Sequence, residues 1–347
     1  MSNAIVFERQ HHIGVITLAR PEALNAIDLP MIKALQQQLQ QWQDDGDIHA
    51  VVVQASPGKA FCAGGDVRWL YERGLQNDPE QLQFFWHEYH LNYFIHQFKK
   101  PYIALMDGIT MGGGVGISLH GSHPVAGSRF VFSMPETGIG LFPDIGASYL
   151  LSRCPGHVGL YLALTGNRLG AEDARAMKLV KYTVDTENFA EILPSLHKLN
   201  LSQNAALQVS AYLKSVACEK EAPIQQDLEK INHYFSRRSL KDIMSGLETS
   251  DDAWAATTFT NLQQKSPLSL AVTFEQMHKA KSLSLAECLK LDYCLVGHFM
   301  AGKDFYEGIR ALLIDKDKNP RWQPSILKNV TNADIANYFE CEESFLM

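Results

Sequence analysis

Residues 50–55, AVVVQA, place three valines in a row. A short run of β-branched residues without polar alternation is the pattern of a strand buried on both faces, which needs helices packed over a parallel sheet. The run passes directly into SPGKAFCAGGD, a loop of small and polar residues. Loops at the carboxyl ends of such strands are where ligands bind in layered α/β folds. Residues 102–106, YIALM, read as a second strand, which feeds three glycines at 112–114 that open an apolar helical pattern. The fold class expected is therefore α/β.

Other elements follow from local pattern. Residues 5–7 and 13–18 read as strands joined by a hairpin through 8–12, and Asp28 with Pro30 marks the start of a helix to about Trp42. Its apolar stripe is Met31, Leu35 and Leu39, at helical spacing. An aromatic-rich helix is expected over 79–98, helices over 157–164 and 171–177, and a strand over 180–184. Beyond about residue 200 strand signals fade, and 224–235, 268–280 and 285–300 read as helices. The organisation expected is a core over 1–200 and a mostly helical region over 201–347.

The 347 residues suffice for a sizeable core, and 46% hydrophobic with 20% charged residues is a globular composition. A formal charge of −7 argues against nucleic acid as a partner, because that binding needs a basic surface. No stretch approaches the roughly 18 to 20 apolar residues of a membrane span. The six cysteines are scattered without a C-x-x-C pair, and MSNAIVFERQ moves straight into a strand pattern. Reduced thiols in a cytoplasmic protein are expected on that basis. Ser2-Asn3-Ala4 carries no functional signal.

Two strand-to-helix turns, at 60–66 and 111–116, can each aim a backbone N–H at one point, although either alone is an ordinary tight turn. An N–H placed on a developing oxyanion is worth about 3 to 4 kcal/mol. Glu136 in SMPETGIG and Asp144 in LFPDIG each follow a proline, where a carboxylate can serve as a simple cap or turn former. Both are flanked by Met134, Ile139, Leu141, Phe142 and Ile145, and desolvation there lifts a carboxyl toward the range useful for acid and base work. His120 and His123 stand three apart with no third ligand at a metal-like spacing, so no metal site is expected. Glu88, within FFWHEYHLNYF, reads by default as a solvated or core-edge residue. Neither a G-x-S-x-G elbow nor a Walker A loop is present.

The segments ITLARPEALNAID, KAFCAGGDV, ITMGGGVGISLHG, FSMPETGIGLFPD and ALTGNRLGAEDA resemble the crotonase, or enoyl-CoA hydratase/isomerase, superfamily. That resemblance implies a spiral of ββα units with a mostly helical C-terminal region, coenzyme A thioester substrates, and an oxyanion hole from the N–H groups of Ala63 and Gly113. Glu22, Ala23, Asn25 and Asp66 match regions lining the coenzyme A channel. Hydratases of the superfamily carry one glutamate at the position matching Gly116 and another at that matching Glu136. Here the first is glycine, and Asp144 stands where hydratases have a small residue.

GGGVG with MPET and FPD, an acidic residue at Glu88, and the segment 302–322 together resemble the 3-hydroxyisobutyryl-CoA hydrolase branch. The implied reaction is hydrolysis of a short-chain 3-hydroxyacyl-CoA, as in valine breakdown. In that reading Glu136 attacks the carbonyl or activates water, and Asp144 holds the 3-hydroxyl or assists proton transfer. Glu88 is a further candidate for the same pocket. No metal or redox cofactor is implied, and a homo-oligomer is possible in this superfamily. The alternatives are another crotonase reaction, such as hydration or isomerisation, and a catalytically silent acyl-CoA binder. Two departures stand out: Ala147-Ser148 where relatives often have glycines, and Lys178 where a helix-ending glycine is usual. If Lys178 keeps the left-handed cap it is strained by roughly 1 kcal/mol.

Overall fold

A computed structural model describes residues 4–341, so Ser2 and Asn3 lie outside the described residues. The chain forms two compact units interleaved in sequence. The first comprises Met1–Asp66, His87–Phe132 and Leu169–Pro223, and the second Val67–Trp86, Ser133–Arg168 and Ile224–Met347.

The first unit is built on strands β1 (Ile5–Gln10), β2 (Ile13–Leu18), β3 (Ala50–Ala55), β4 (Ala60–Cys62), β5 (Tyr102–Met106), β6 (Ile109–Met111), β7 (His123–Gly127), β8 (Val131–Ser133) and β9 (Tyr182–Val184). Six form one sheet in the order β1-β2-β3-β5-β7-β9, antiparallel at the β1–β2 hairpin and parallel thereafter. The short strands β4, β6 and β8 form a second sheet. From β3 to β8 each pass of the chain thus adds one strand to the large sheet and one to the small. This is the repeating ββα arrangement expected, and Val51, Val52 and Val53 of β3 are fully buried as their run requires.

Sequence pattern overlooked the short strands. Residues 102–106 do not feed the glycines directly, because β6 intervenes after a bend at Gly108. Three residues are too few for a period to register, and the pairing that makes them a strand is with the distant β4.

Helix α1 (Leu29–Asp44) starts where Asp28 accepts the Met31 N–H at 2.9 Å, and it buries Met31, Leu35 and Leu39 as read from their spacing. Helices α2 (Val67–Leu75), α3 (Glu80–His96) and α4 (Gly113–Leu119) follow. Every residue of α4 is buried, and a side chain at Gly114 would strike the Cys62 carbonyl. Lys178 has a φ of 63°, so the left-handed conformation is retained without glycine.

The second unit is helical, and no strand follows Val184 among the described residues. One expectation is corrected here: Cys294 and Cys341 form a disulfide with Cα atoms 5.3 Å apart, tying helix Leu285–Ala301 to the chain just after helix Asn332–Tyr338. Their separation of 47 residues matches no spacing signature, so only the fold brings them together. Cys62, Cys154 and Cys288 are free thiols that burial pushes up to about 12, which leaves them poor nucleophiles. Among the described residues, no helix is long and apolar enough to cross a membrane.

Candidate functional site

In the first unit, β4 runs into the 63–66 loop and β6 into the start of α4. Ile27 pairs with the loop, donating its N–H to Gly64 O at 2.9 Å and accepting the Asp66 N–H at 2.9 Å. The Ala63 N–H donates to Leu24 O at 3.0 Å. The expected oxyanion donor is therefore already engaged, and the assignment to Ala63 is corrected.

Gly65 lies between the two Ile27 bonds, so its own N–H faces away from that strand. Its nitrogen is 3.3 Å from where a Cβ on Gly113 would stand. The Gly113 nitrogen is in turn 3.8 Å from the Cβ position of Gly64. Among the described residues, no hydrogen bond takes up the N–H of Gly65 or Gly113. Two unengaged donors thus lie side by side, one of them at the first position of a helix, where N–H groups lack intrahelical acceptors. Gly64 at φ 120° and Gly112 at φ 46° adopt backbone that a side chain resists, which is why both turns need glycine.

The surrounding side chains divide into fasteners and lining. Asn25 is fully buried and joins two segments, accepting the Arg20 N–H at 2.8 Å and donating to Ala60 O at 3.0 Å. With its amide held in this way it shapes the loop, a role different from the ligand contact expected of it. Arg20 bridges Asp28 and Asp66 at 3.1 and 3.3 Å. Glu22 is exposed, and Ala23 is half-buried beside it. Glu88, on α3, is only 2% exposed, and its carboxylate occupies the place where a Cβ on Gly113 would stand. It is neither solvated nor at the core edge.

In the second unit, Pro135 caps a 3-10 turn, Glu136–Ile139, which begins with Glu136. Glu136 is 6% exposed, and its Oε2 has no hydrogen-bond partner. Burial raises its carboxyl well above the usual carboxylate range, and the Asp144 charge raises it further. Asp144 is itself buried. The next residue, Ile145, has a φ of 54°, and Gly146 one of 72°. A β-branched residue in the left-handed region costs on the order of 1–3 kcal/mol and persists only where its surroundings hold it.

What holds it is a pair of side chains that sequence reading missed. Asp292 is fully buried and accepts the Gly146 N–H and the Gln276 Nε2–H, each at 2.8 Å. Gln276 also donates to Pro143 O at 3.0 Å. Burial pushes the Asp292 carboxyl well up; the Gly146 N–H pulls it down, the Asp144 charge raises it, and Gln276 lowers it. The available signal was a polar residue on the buried stripe of each helix, where a charge needs a partner. The partner itself was out of sight, more than a hundred residues away.

His123 belongs to β7, where Ser122 and Ser210 hydroxyls flank its ring nitrogens at 2.8 and 2.9 Å. Burial lowers its pKa to about 4, so it is a neutral structural residue. His120 is buried on the turn after α4.

The first unit thus carries a glycine-built pair of unengaged backbone donors on a ββα fold, and the second a desolvated carboxylate set; each is a feature suited to acyl-group chemistry. The enoyl-CoA hydratase/isomerase family profile matches residues 13–339. The chain is 43% identical over 330 residues to the mitochondrial 3-hydroxyisobutyryl-CoA hydrolase of Xenopus tropicalis, covering 94% of this chain and 86% of that protein. It is 39% identical over 342 residues to the mitochondrial 3-hydroxyisobutyryl-CoA hydrolase of Homo sapiens, covering 97% and 88%.

Among solved structures, a carnitinyl-CoA dehydratase from Mycobacterium thermoresistibile superposes with a TM-score of 0.93 at 33% identity, covering 100% of this chain and 99% of that one. An enoyl-CoA hydratase from Rhodobacter sphaeroides 2.4.1 gives 0.89 at 34%, covering 98% of both. The chain belongs to the enoyl-CoA hydratase/isomerase family. The expectation of a cytoplasmic protein is overturned by the same comparison, since these hydrolases are mitochondrial. Scattered cysteines and a strand-like start do not report compartment.

Proposed function

We propose that this chain hydrolyses short-chain 3-hydroxyacyl-CoA thioesters, with 3-hydroxyisobutyryl-CoA the principal substrate, in valine breakdown. The observation that carries the reading is a desolvated Glu136 beside Asp144 in a chain whose residue 116 is glycine. Adding water across a double bond with two glutamates loses one of its acids at Gly116. A single activated carboxylate is enough to bring water, or itself, to a thioester carbonyl. The N–H groups of Gly65 and Gly113 take the carbonyl oxygen as it becomes an oxyanion. Collapse of the tetrahedral species expels the coenzyme A thiolate, which then takes a proton; where Glu136 itself attacked, the acyl group is left on it as an anhydride, which water hydrolyses to release the acid and restore the carboxylate. Asp144 tunes the Glu136 carboxyl and assists that proton's movement. Carboxylate and backbone N–H supply the base and the oxyanion stabilisation, so the proposal calls for no metal or redox cofactor. A homo-oligomer is part of the same expectation.

The test follows free-thiol release from a panel of acyl-CoA esters. The parent releases thiol from 3-hydroxyisobutyryl-CoA, and Glu136→Gln loses roughly 10²- to 10⁴-fold in kcat. A parent that hydrolyses none of the esters overturns the proposal. The solved relatives named as hydratase and dehydratase favour a second reading, in which the chain hydrates an enoyl-CoA. Crotonyl-CoA hydration that is lost in Glu136→Gln, with no thiol released from any ester, would establish that reading instead.

A further inference from the structure

Asn92 lies on α3 one turn beyond Glu88 and is fully buried, yet neither its Nδ2 nor its Oδ1 has a hydrogen-bond partner. Among the described residues it is the side chain with two such orphaned atoms. A buried amide left wholly unpaired is rare in native proteins and points to a partner from outside the chain.

Its location says what kind of partner. A Cβ on Gly116 would stand 2.6 Å from Nδ2 and 3.0 Å from Oδ1, so the amide fills the volume that a side chain at 116 would take. One turn earlier, the Glu88 carboxylate does the same at Gly113. Helix α3 therefore lays two polar groups along α4, one beside the donor that receives the acyl oxygen and one three residues further on. At a rise of 1.5 Å per residue that second position is about 4.5 Å along the helix. This is comparable with the reach from a thioester carbonyl to a hydroxyl two carbons away. An amide both donates and accepts, as a hydroxyl does, so the two can satisfy each other fully.

We propose that Asn92 hydrogen-bonds the 3-hydroxyl of the acyl group and is the residue that selects 3-hydroxyacyl over plain acyl thioesters. This rests on the hydrolase reading and adds to it the determinant of specificity. It also gives Gly116 a positive role: any side chain there displaces the amide. The 3-hydroxyl role first expected of Asp144 passes to Asn92, leaving Asp144 to act on Glu136.

The experiment compares kcat/KM for 3-hydroxyisobutyryl-CoA and isobutyryl-CoA in the parent, Asn92→Leu and Asn92→Ser. Asn92→Leu lowers the value for the hydroxy ester by about 10- to 100-fold and leaves that for isobutyryl-CoA largely unchanged, collapsing the preference. Asn92→Ser, which keeps a hydroxyl, retains part of it. Loss on both esters together means a structural role only, and loss on neither means no role; either overturns the proposal. Should Asn92→Leu fail to fold, the same comparison with Asn92→Ser decides. If the parent releases thiol from neither ester, the hydrolase reading fails separately. Equilibrium titration of the two esters against parent and variant then judges Asn92, and a hydroxyl preference that survives the substitution overturns its role.

Discussion

Glu136 shows how a single residue acquires its chemistry from what surrounds it. Water is excluded from its carboxyl, and Asp144 adds a like charge, so protonation persists above the ordinary carboxylate range. As nucleophile or base Glu136 must be ionised, so kcat/KM rises with pH along a limb set by this carboxyl in the free protein. Removing the Asp144 charge in Asp144→Asn makes ionisation easier. The limb then moves to lower pH, even as the maximal rate falls through loss of Asp144's own part. A pH–rate profile of the two proteins checks the direction, and a shift to higher pH rejects the coupling. At this scale the sequence marked Glu136 and Asp144 as carboxylates set among apolar neighbours, and both are buried. It misplaced a donor: whether Ala63 or Gly65 keeps an unengaged N–H depends on the carbonyls of Leu24 and Ile27, which enter from a separate segment.

Elements carry the positions of those residues. Residues 143–146 have a backbone that would not hold by itself, with Ile145 left-handed. Helices Pro267–Ala280 and Leu285–Ala301 fix it through Gln276 and Asp292. Asp292→Ala leaves the Gly146 N–H and the Gln276 amide without their acceptor, and the expected cost is about 2–4 kcal/mol of stability. Urea unfolding measures this cost. Thiol-release kinetics on the folded fraction should show kcat reduced by about tenfold or more, because Asp144 loses its anchor. Parent-like stability and rate would remove Asp292 from the site. Strands β3 and β5, and helix α1 with its Asp28 cap, were legible because their signals lie within a few residues of one another. The short strand β6 and the brace at Asp292 were not, since each exists only through a partner distant in sequence.

At the scale of the whole molecule, the two units are interleaved rather than consecutive, and the disulfide adds a constraint that no local pattern announces. Closing a loop of this size is worth about 4 kcal/mol in the chain-entropy account. Reduction, or Cys341→Ser, should therefore lower the unfolding midpoint in urea, and an unchanged midpoint under reducing conditions would show that the bridge contributes nothing. The sequence by itself determined the α/β class, the two glycine turns, the carboxylate pair and the missing acid at Gly116. These are properties of residue type and short spacing, and they survive without knowledge of neighbours. Only the tertiary structure decided which N–H groups stay unengaged, what steadies the strained turn at Ile145, and that Asn92 fills the place left open by Gly116. Each is a contact between segments far apart in the chain, and a contact of that kind has no signature until the backbone has closed around it.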